Sequence, residues 1–209
     1  MKICVVGAGA IGGFIGTRLA LGGAHQVSAL ARGATLAALR EHGWRLRQGG
    51  ALLAARAHAQ QHAAQLGAQD LVVIAVKGQS LPEAAPTIAP LLAPHTLVLP
   101  AMNGVPWWFG RGVGALEGRP LASVDPGGMV SAALPFEQVI GCVVHASTST
   151  SEPGLVEHKM GQGLIVGEPA GGESGRLRAL ADTLRAAGFD VTVSAAVRRD
   201  IWYKLWGNM

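Results

Sequence analysis

Lys2–Val6 is a short β-type apolar run that stops at a glycine, and Ala10–Leu21 carries the small and aliphatic residues of a buried helix. A second apolar run over residues 27–31, then a helix over 34–42 closed by Gly43, completes one βαβ unit. Residues 44–47 and 52–57, separated by Gly49-Gly50, predict a hairpin. Residues 71–76 are continuously apolar and rich in β-branched side chains, the pattern of a strand covered on both faces in a parallel sheet. A helix over 81–92 with Pro82 in its first turn and a strand over 96–99 continue the alternation. Beyond that the period changes: strands over 139–150 and 163–167 follow each other without a helix, divided by the turn Glu152-Pro153-Gly154, which predicts antiparallel strands added at the sheet edge. A capped amphipathic helix over 174–187, ended by Gly188, and a strand over 191–193 precede a new helix that starts at Val197. The expected architecture is α/β, with a doubly wound, mostly parallel sheet over residues 1–196. Residues 197–209 are expected to be the first helix of a truncated, helical second domain, because the pattern is still helical at Met209 and carries no stop signal.

Composition narrows the class. The chain is 49% hydrophobic and 14% charged, against about 25% charged in an average soluble domain, so a packed core offsets the chain entropy and disorder is excluded. Cys4 and Cys142 each sit in an apolar run, the setting of reduced, buried thiols, and this points to the cytoplasm. The apolar N-terminus outlines a secretory signal, but Gly7, Gly9, Gly12, Gly13 and Gly16 would destabilise the helix of a signal core and Arg18 interrupts it. No other stretch reaches the roughly 18 apolar residues of a membrane span, so no membrane association is expected. The net charge of +4 is spread along the chain with no basic stripe, which argues against nucleic acid and for a modest attraction to small anions. No acidic residue occurs before Glu41.

That last fact gains meaning beside Gly7-Ala8-Gly9-Ala10-Ile11-Gly12, which lies directly after a strand and opens a helix. In this context the spacing predicts a Rossmann-type dinucleotide site. Gly7 makes the tight turn, Gly9 lets the backbone approach a pyrophosphate, and Gly12 lets the helix pack closely, while free N–H groups at the helix start face the anion. Twenty residues after Gly12, where an NAD enzyme places a carboxylate on the ribose, stands Arg32. A guanidinium there suits a 2′-phosphate and predicts NADP (NADPH) as the cofactor. Lys77 follows the strand at 71–76 and Asn103-Gly104 follows the strand at 96–99, both where a doubly wound sheet presents ligands. Position alone leaves Lys77 open as a solvated lysine and Asn103 as a turn residue. Lys204 and Asn208 are spaced i, i+4 and project from one helix face, an arrangement also common on solvated faces. No metal-ligand spacing is present.

Together GAGAIGG at 7–13, ARG at 31–33, AVK at 75–77, MNG at 102–104, HAS at 145–147, PGLVEH at 153–158 and RRDIWYKLWGN at 198–208 resemble the N-terminal part of the 2-dehydropantoate 2-reductase (ketopantoate reductase) family of pantothenate biosynthesis. The resemblance spans nearly the whole chain in order. It implies NADPH-dependent reduction of a 2-oxo acid. Lys204 would be the general acid, Asn208 would lie on the substrate, Lys77 and Asn103 near the nicotinamide and ribose with Asn103 also reaching the substrate, and Ser147 at a further cofactor contact. The family continues into a helical domain that completes the substrate site, so the present chain alone is expected to be nearly inactive. Two other readings stay open: a non-catalytic NADP-binding module, and a related hydroxy-acid dehydrogenase. The apolar residues of 197–209 are expected to support homo-oligomer contacts. The run Pro106-Trp107-Trp108-Phe109 reads either as core packing or as the mark of a family branch with a different substrate.

Overall fold

The computed structural model describes residues 1–119 and 121–207. Five strands form a parallel sheet: β1 (Lys2–Val6), β2 (Gln26–Leu30), β5 (His58–Gln60), β6 (Leu71–Ile74) and β7 (Leu97–Pro100), in the order β5-β2-β1-β6-β7. Strand alternation divides their side chains between two cores. Ile3, Val5, Leu71 and Val73 enter one, and Cys4, Val6, Val72 and Ile74 the other. Coverage on both faces is what the unbroken apolar runs demand. Burial pushes the Cys4 and Cys142 thiols up to about 12, so both are protonated at neutral pH, and they are unpaired.

The antiparallel strands build a second sheet instead of lengthening the first. β3 (Trp44–Gln48) and β4 (Ala51–Ala55) form the expected hairpin around Gly49-Gly50. β8 (Gly141–Glu152) and β9 (Leu155–Gly167) form a long antiparallel pair, and β9 pairs in parallel with β3 and with β10 (Asp190–Ser194). The first sheet receives only the bridge Val98↔Val139 at its β7 edge. A helix between the two sheets is the physical reason for the split. α1 (Ala10–Leu21) packs against β1 and β2 on one side and β3, β4, β8 and β9 on the other. It is therefore buried nearly all round. Its glycines, which each cost about 1 kcal/mol in a helix, are what admit both sheets: a Cβ at Gly13 would lie 2.6 Å from Val156 and one at Gly16 2.5 Å from Trp44.

α2 (Gly33–His42) covers the β5 side, and α3 (Leu81–Ile88) buries Leu81, Ala85 and Ile88 on the opposite face. α3 ends earlier than its pattern predicts because Pro90, which has no N–H, passes the chain into a 3-10 turn over Ala89–Leu91. α4 (Met129–Ala133) packs on α3, placing Val130 in the same core as Trp107 and Trp108, which are 6% and 3% exposed. The tryptophan run is thus core packing. α5 (Gly175–Ala186) starts at Ser174, whose hydroxyl accepts from the Leu177 N–H, and buries four residues in the first core. α6 (Val197–Trp206) anchors Val197 and Ile201 against β8 and β9 and leaves Trp202, Tyr203 and Trp206 more than half exposed. Among the described residues no helix is long and apolar enough to cross a membrane, and no group of three or more His, Cys, Asp or Glu could hold a metal.

Candidate functional site

A cavity of about 570 Å³ opens at the C-terminal ends of β1, β2 and β5. Its floor is Gly7, Ala8 and Gly9, one wall is Leu30 to Arg32, and the opposite wall includes Val76 and, from α3, Glu83 and Thr87. This is the crevice that a doubly wound sheet leaves where its strand order reverses, between β1 and β6.

The three motif glycines are there for different reasons. Gly7 has φ +86°, and a Cβ on it would lie 2.8 Å from Val76. At Gly12 a Cβ would stand 2.0 Å from the Gly7 carbonyl oxygen, so any side chain would push the helix off the turn. Gly9 is constrained by neither. Its φ is −78° and nothing lies within 4 Å of where its Cβ would be. Nothing in the protein itself requires a glycine at this cavity-lining position, whereas a ligand lying against the backbone would. Gly9 is also the N-cap of α1, and the first intrahelical bond is Gly13 N–H to the Gly9 carbonyl at 2.7 Å. The N–H groups of Ala10, Ile11 and Gly12 therefore head the helix without intrahelical partners, and no acidic side chain sits in that turn. The fit to a pyrophosphate is good.

Arg32 is the extended N-cap of α2, and its guanidinium lies 3.9 Å from the Glu83 carboxylate on the far wall. The two side chains are 78% and 81% exposed, so the guanidinium is available to a ligand.

The remaining predicted residues lie outside this cavity. Lys77 follows β6, is exposed, and caps a 3-10 turn over Gly78–Ser80 without lining the cavity. Asn103, after β7, is held by two bonds: its Nδ2 donates to the Val144 carbonyl at 3.1 Å and its Oδ1 accepts from the Val144 N–H at 3.0 Å. The side chain thus acts as a one-residue strand partner for β8. An amide has a second hydrogen and further lone-pair capacity, so this clip still leaves a donor and an acceptor for a ligand. Next to Val144, His145 shares a smaller cavity of about 340 Å³ with Lys204, Asp200, Tyr203 and Ile165. Burial, then the neighbouring Lys204 charge, lowers the His145 pKa and so favours its neutral imidazole. Asp200 accepts a hydrogen bond from the Ser194 hydroxyl. Ser147 is exposed on β8 two residues beyond His145, and Asn208 lies outside the described residues.

Sequence reasoning missed Glu83, His145 and Asp200. Asp200 stands i, i+4 before Lys204, a spacing that could have flagged it; the other two reach their cavities through long-range packing.

The chain is similar to known proteins over its whole length. The family model described as ketopantoate reductase PanE/ApbA matches residues 3–108. The 2-dehydropantoate 2-reductase of Mesorhizobium japonicum is 45% identical over the whole chain, and that of Halobacterium salinarum is 27% identical. A crystal structure from Ralstonia solanacearum MolK2, assigned to the ketopantoate reductases, is 50% identical and superposes with a TM-score of 0.96 over 99% of this chain and 64% of that one. The chain likewise spans 64% of the length of the Mesorhizobium relative. The family model covers just over half of the chain, and the chain belongs to the ketopantoate reductase PanE/ApbA family.

Proposed function

We propose that this chain holds NADP(H) in the cavity above β1 and that the protein reduces the 2-oxo group of 2-dehydropantoate or a close analogue. The observation that carries the reading is the open backbone at Gly9, where neither crowding nor a positive φ calls for a glycine, facing the same cavity as an exposed Arg32. Gly7, Ala8 and Gly9 would lie along the pyrophosphate, with the N–H groups of Ala10, Ile11 and Gly12 directed at it. Arg32 would pair with the 2′-phosphate. Lys77, Asn103 and Ser147 would line the path toward the nicotinamide, which supplies the hydride when bound.

Lys204 does the acid–base work in this reading. As negative charge builds on the 2-oxo oxygen, its ammonium stabilises the oxyanion and then donates the proton. The neutral His145 adds no competing cation beside it, and it can accept a hydrogen bond from the ammonium. Asn103 and Asn208 would hold the substrate. We assign residues 1–196 to the dinucleotide-binding domain and α6 to the start of a second, helical one. The exposed Trp202, Tyr203 and Trp206 fit a contact with that domain or with a second copy. Loss of NADPH absorbance on adding 2-dehydropantoate to the full-length protein, with the helical domain present, tests the reading. It should require Lys204, and an enzyme that oxidises NADPH equally well without the 2-oxo acid would refute it.

A further inference from the structure

The missing acid at the end of β2 is supplied from the opposite wall. Among the described residues, Arg32 and Glu83 are the only Arg, Lys, Asp or Glu lining the larger cavity, and they face each other across it at 3.9 Å. Arg32 comes from the N-terminus of α2 and Glu83 from the first turn of α3. Arg32 makes no other ion pair among the described residues, and both side chains are mostly solvated. Such a pair is weak and easily exchanged.

We infer that Glu83 is a specificity-determining residue that competes with the cofactor's 2′-phosphate for Arg32, and so narrows the preference for NADPH over NADH. The inference rests on the assignment of this cavity to the dinucleotide. A 2′-phosphate paired with Arg32 would displace the carboxylate from its partner and leave two anions a few ångströms apart, which costs affinity. A ribose bearing free hydroxyls meets no such repulsion and can donate to the carboxylate, the role an acid at the end of β2 plays in NAD-binding sheets. Arg32 therefore pulls toward NADPH and Glu83 toward NADH from opposite sides of one cavity.

The test is direct titration of NADPH and NADH, by calorimetry, into the unsubstituted chain, Glu83→Gln and Arg32→Ala. Glu83→Gln keeps the shape and removes the charge. It should tighten NADPH about threefold to tenfold and leave NADH unchanged or weaker. Because both groups are solvated, the gain should shrink between about 0.05 and 1 M salt. A NADPH-to-NADH ratio that responds to Arg32→Ala but not to Glu83→Gln would overturn this inference alone. A ratio that Arg32→Ala leaves unchanged, or binding of neither nucleotide, would overturn the cavity assignment and this inference with it.

Discussion

The two cavities on the rim of this protein are built by different means. The floor of the larger one is backbone, Gly7 to Gly9 running into α1 in a single turn, while its walls come from the end of β2, the segment after β5 and α3. The smaller one is made of side chains brought from β8, β9 and α6, and residues 145, 165, 200 and 204 meet only because the second sheet and the last helix have formed. A backbone site is set locally and survives changes around it. A side-chain site depends on strand register, and the β8–β9 pairing is irregular just beyond His145, with register shifts on both sides of Ser147. Such irregularities re-aim side chains beside functional sites.

If the division is real, substitutions should separate the two. The largest effect is expected from Lys204→Ala in the full-length protein, where it should lower kcat with 2-dehydropantoate by about 10²–10⁴ while NADPH affinity stays within about twofold. A matching loss of cofactor affinity would show the cavities to be one unit. Asn103→Ala acts on the strand that carries His145. Removing both bonds to Val144 should cost about 1–3 kcal/mol in denaturant unfolding and loosen the position of His145. Asn103→Asp keeps the acceptor but loses the donor, so it should be intermediate in stability; no change in either variant would mean the clip is incidental.

The smallest effect is a pH dependence. Because the folded state holds the His145 pKa below its ordinary value, its neutral form favours folding. Stability from this group is complete above the ordinary histidine pKa and declines as pH falls from there toward the lowered folded value. Lys204→Met removes part of the cause, so the decline should become shallower. NMR titration of the His145 ring reads the same change as an upward pKa shift in the variant.

Much of the fold could be read from the chain, and its legible parts share a cause. The strands of the first sheet are covered on both faces and sit at the centre, so their runs are unbroken and their order is set by short βαβ connections. β5 escaped notice because only Ala59 of its three residues is buried, leaving no pattern to see. The second sheet was legible as strands but not as a sheet, since the pairings β9–β10 and β9–β3 join distant segments. The sites divide in the same way. The glycine turn and Arg32 lie within one βαβ unit and carry their own spacing, whereas Glu83 carries no local mark and His145 lies in the HAS stretch at 145–147 with nothing local to assign it a role. An acid looked absent beside Arg32 because only the end of β2 was searched, while the fold delivers one from α3.

Cofactor choice is the point on which the account depends most. Titrating NADPH and NADH separately into the unsubstituted chain, at one fixed salt concentration, measures it. Charge-assisted pairing of Arg32 with the 2′-phosphate contributes about 1.5–3 kcal/mol, roughly tenfold to a hundredfold, and the opposing Glu83 takes back about threefold to tenfold, so NADPH should still bind several-fold more tightly. Equal affinities, or a preference for NADH, would contradict the assignment of Arg32 and the reading of the cavity as an NADP site.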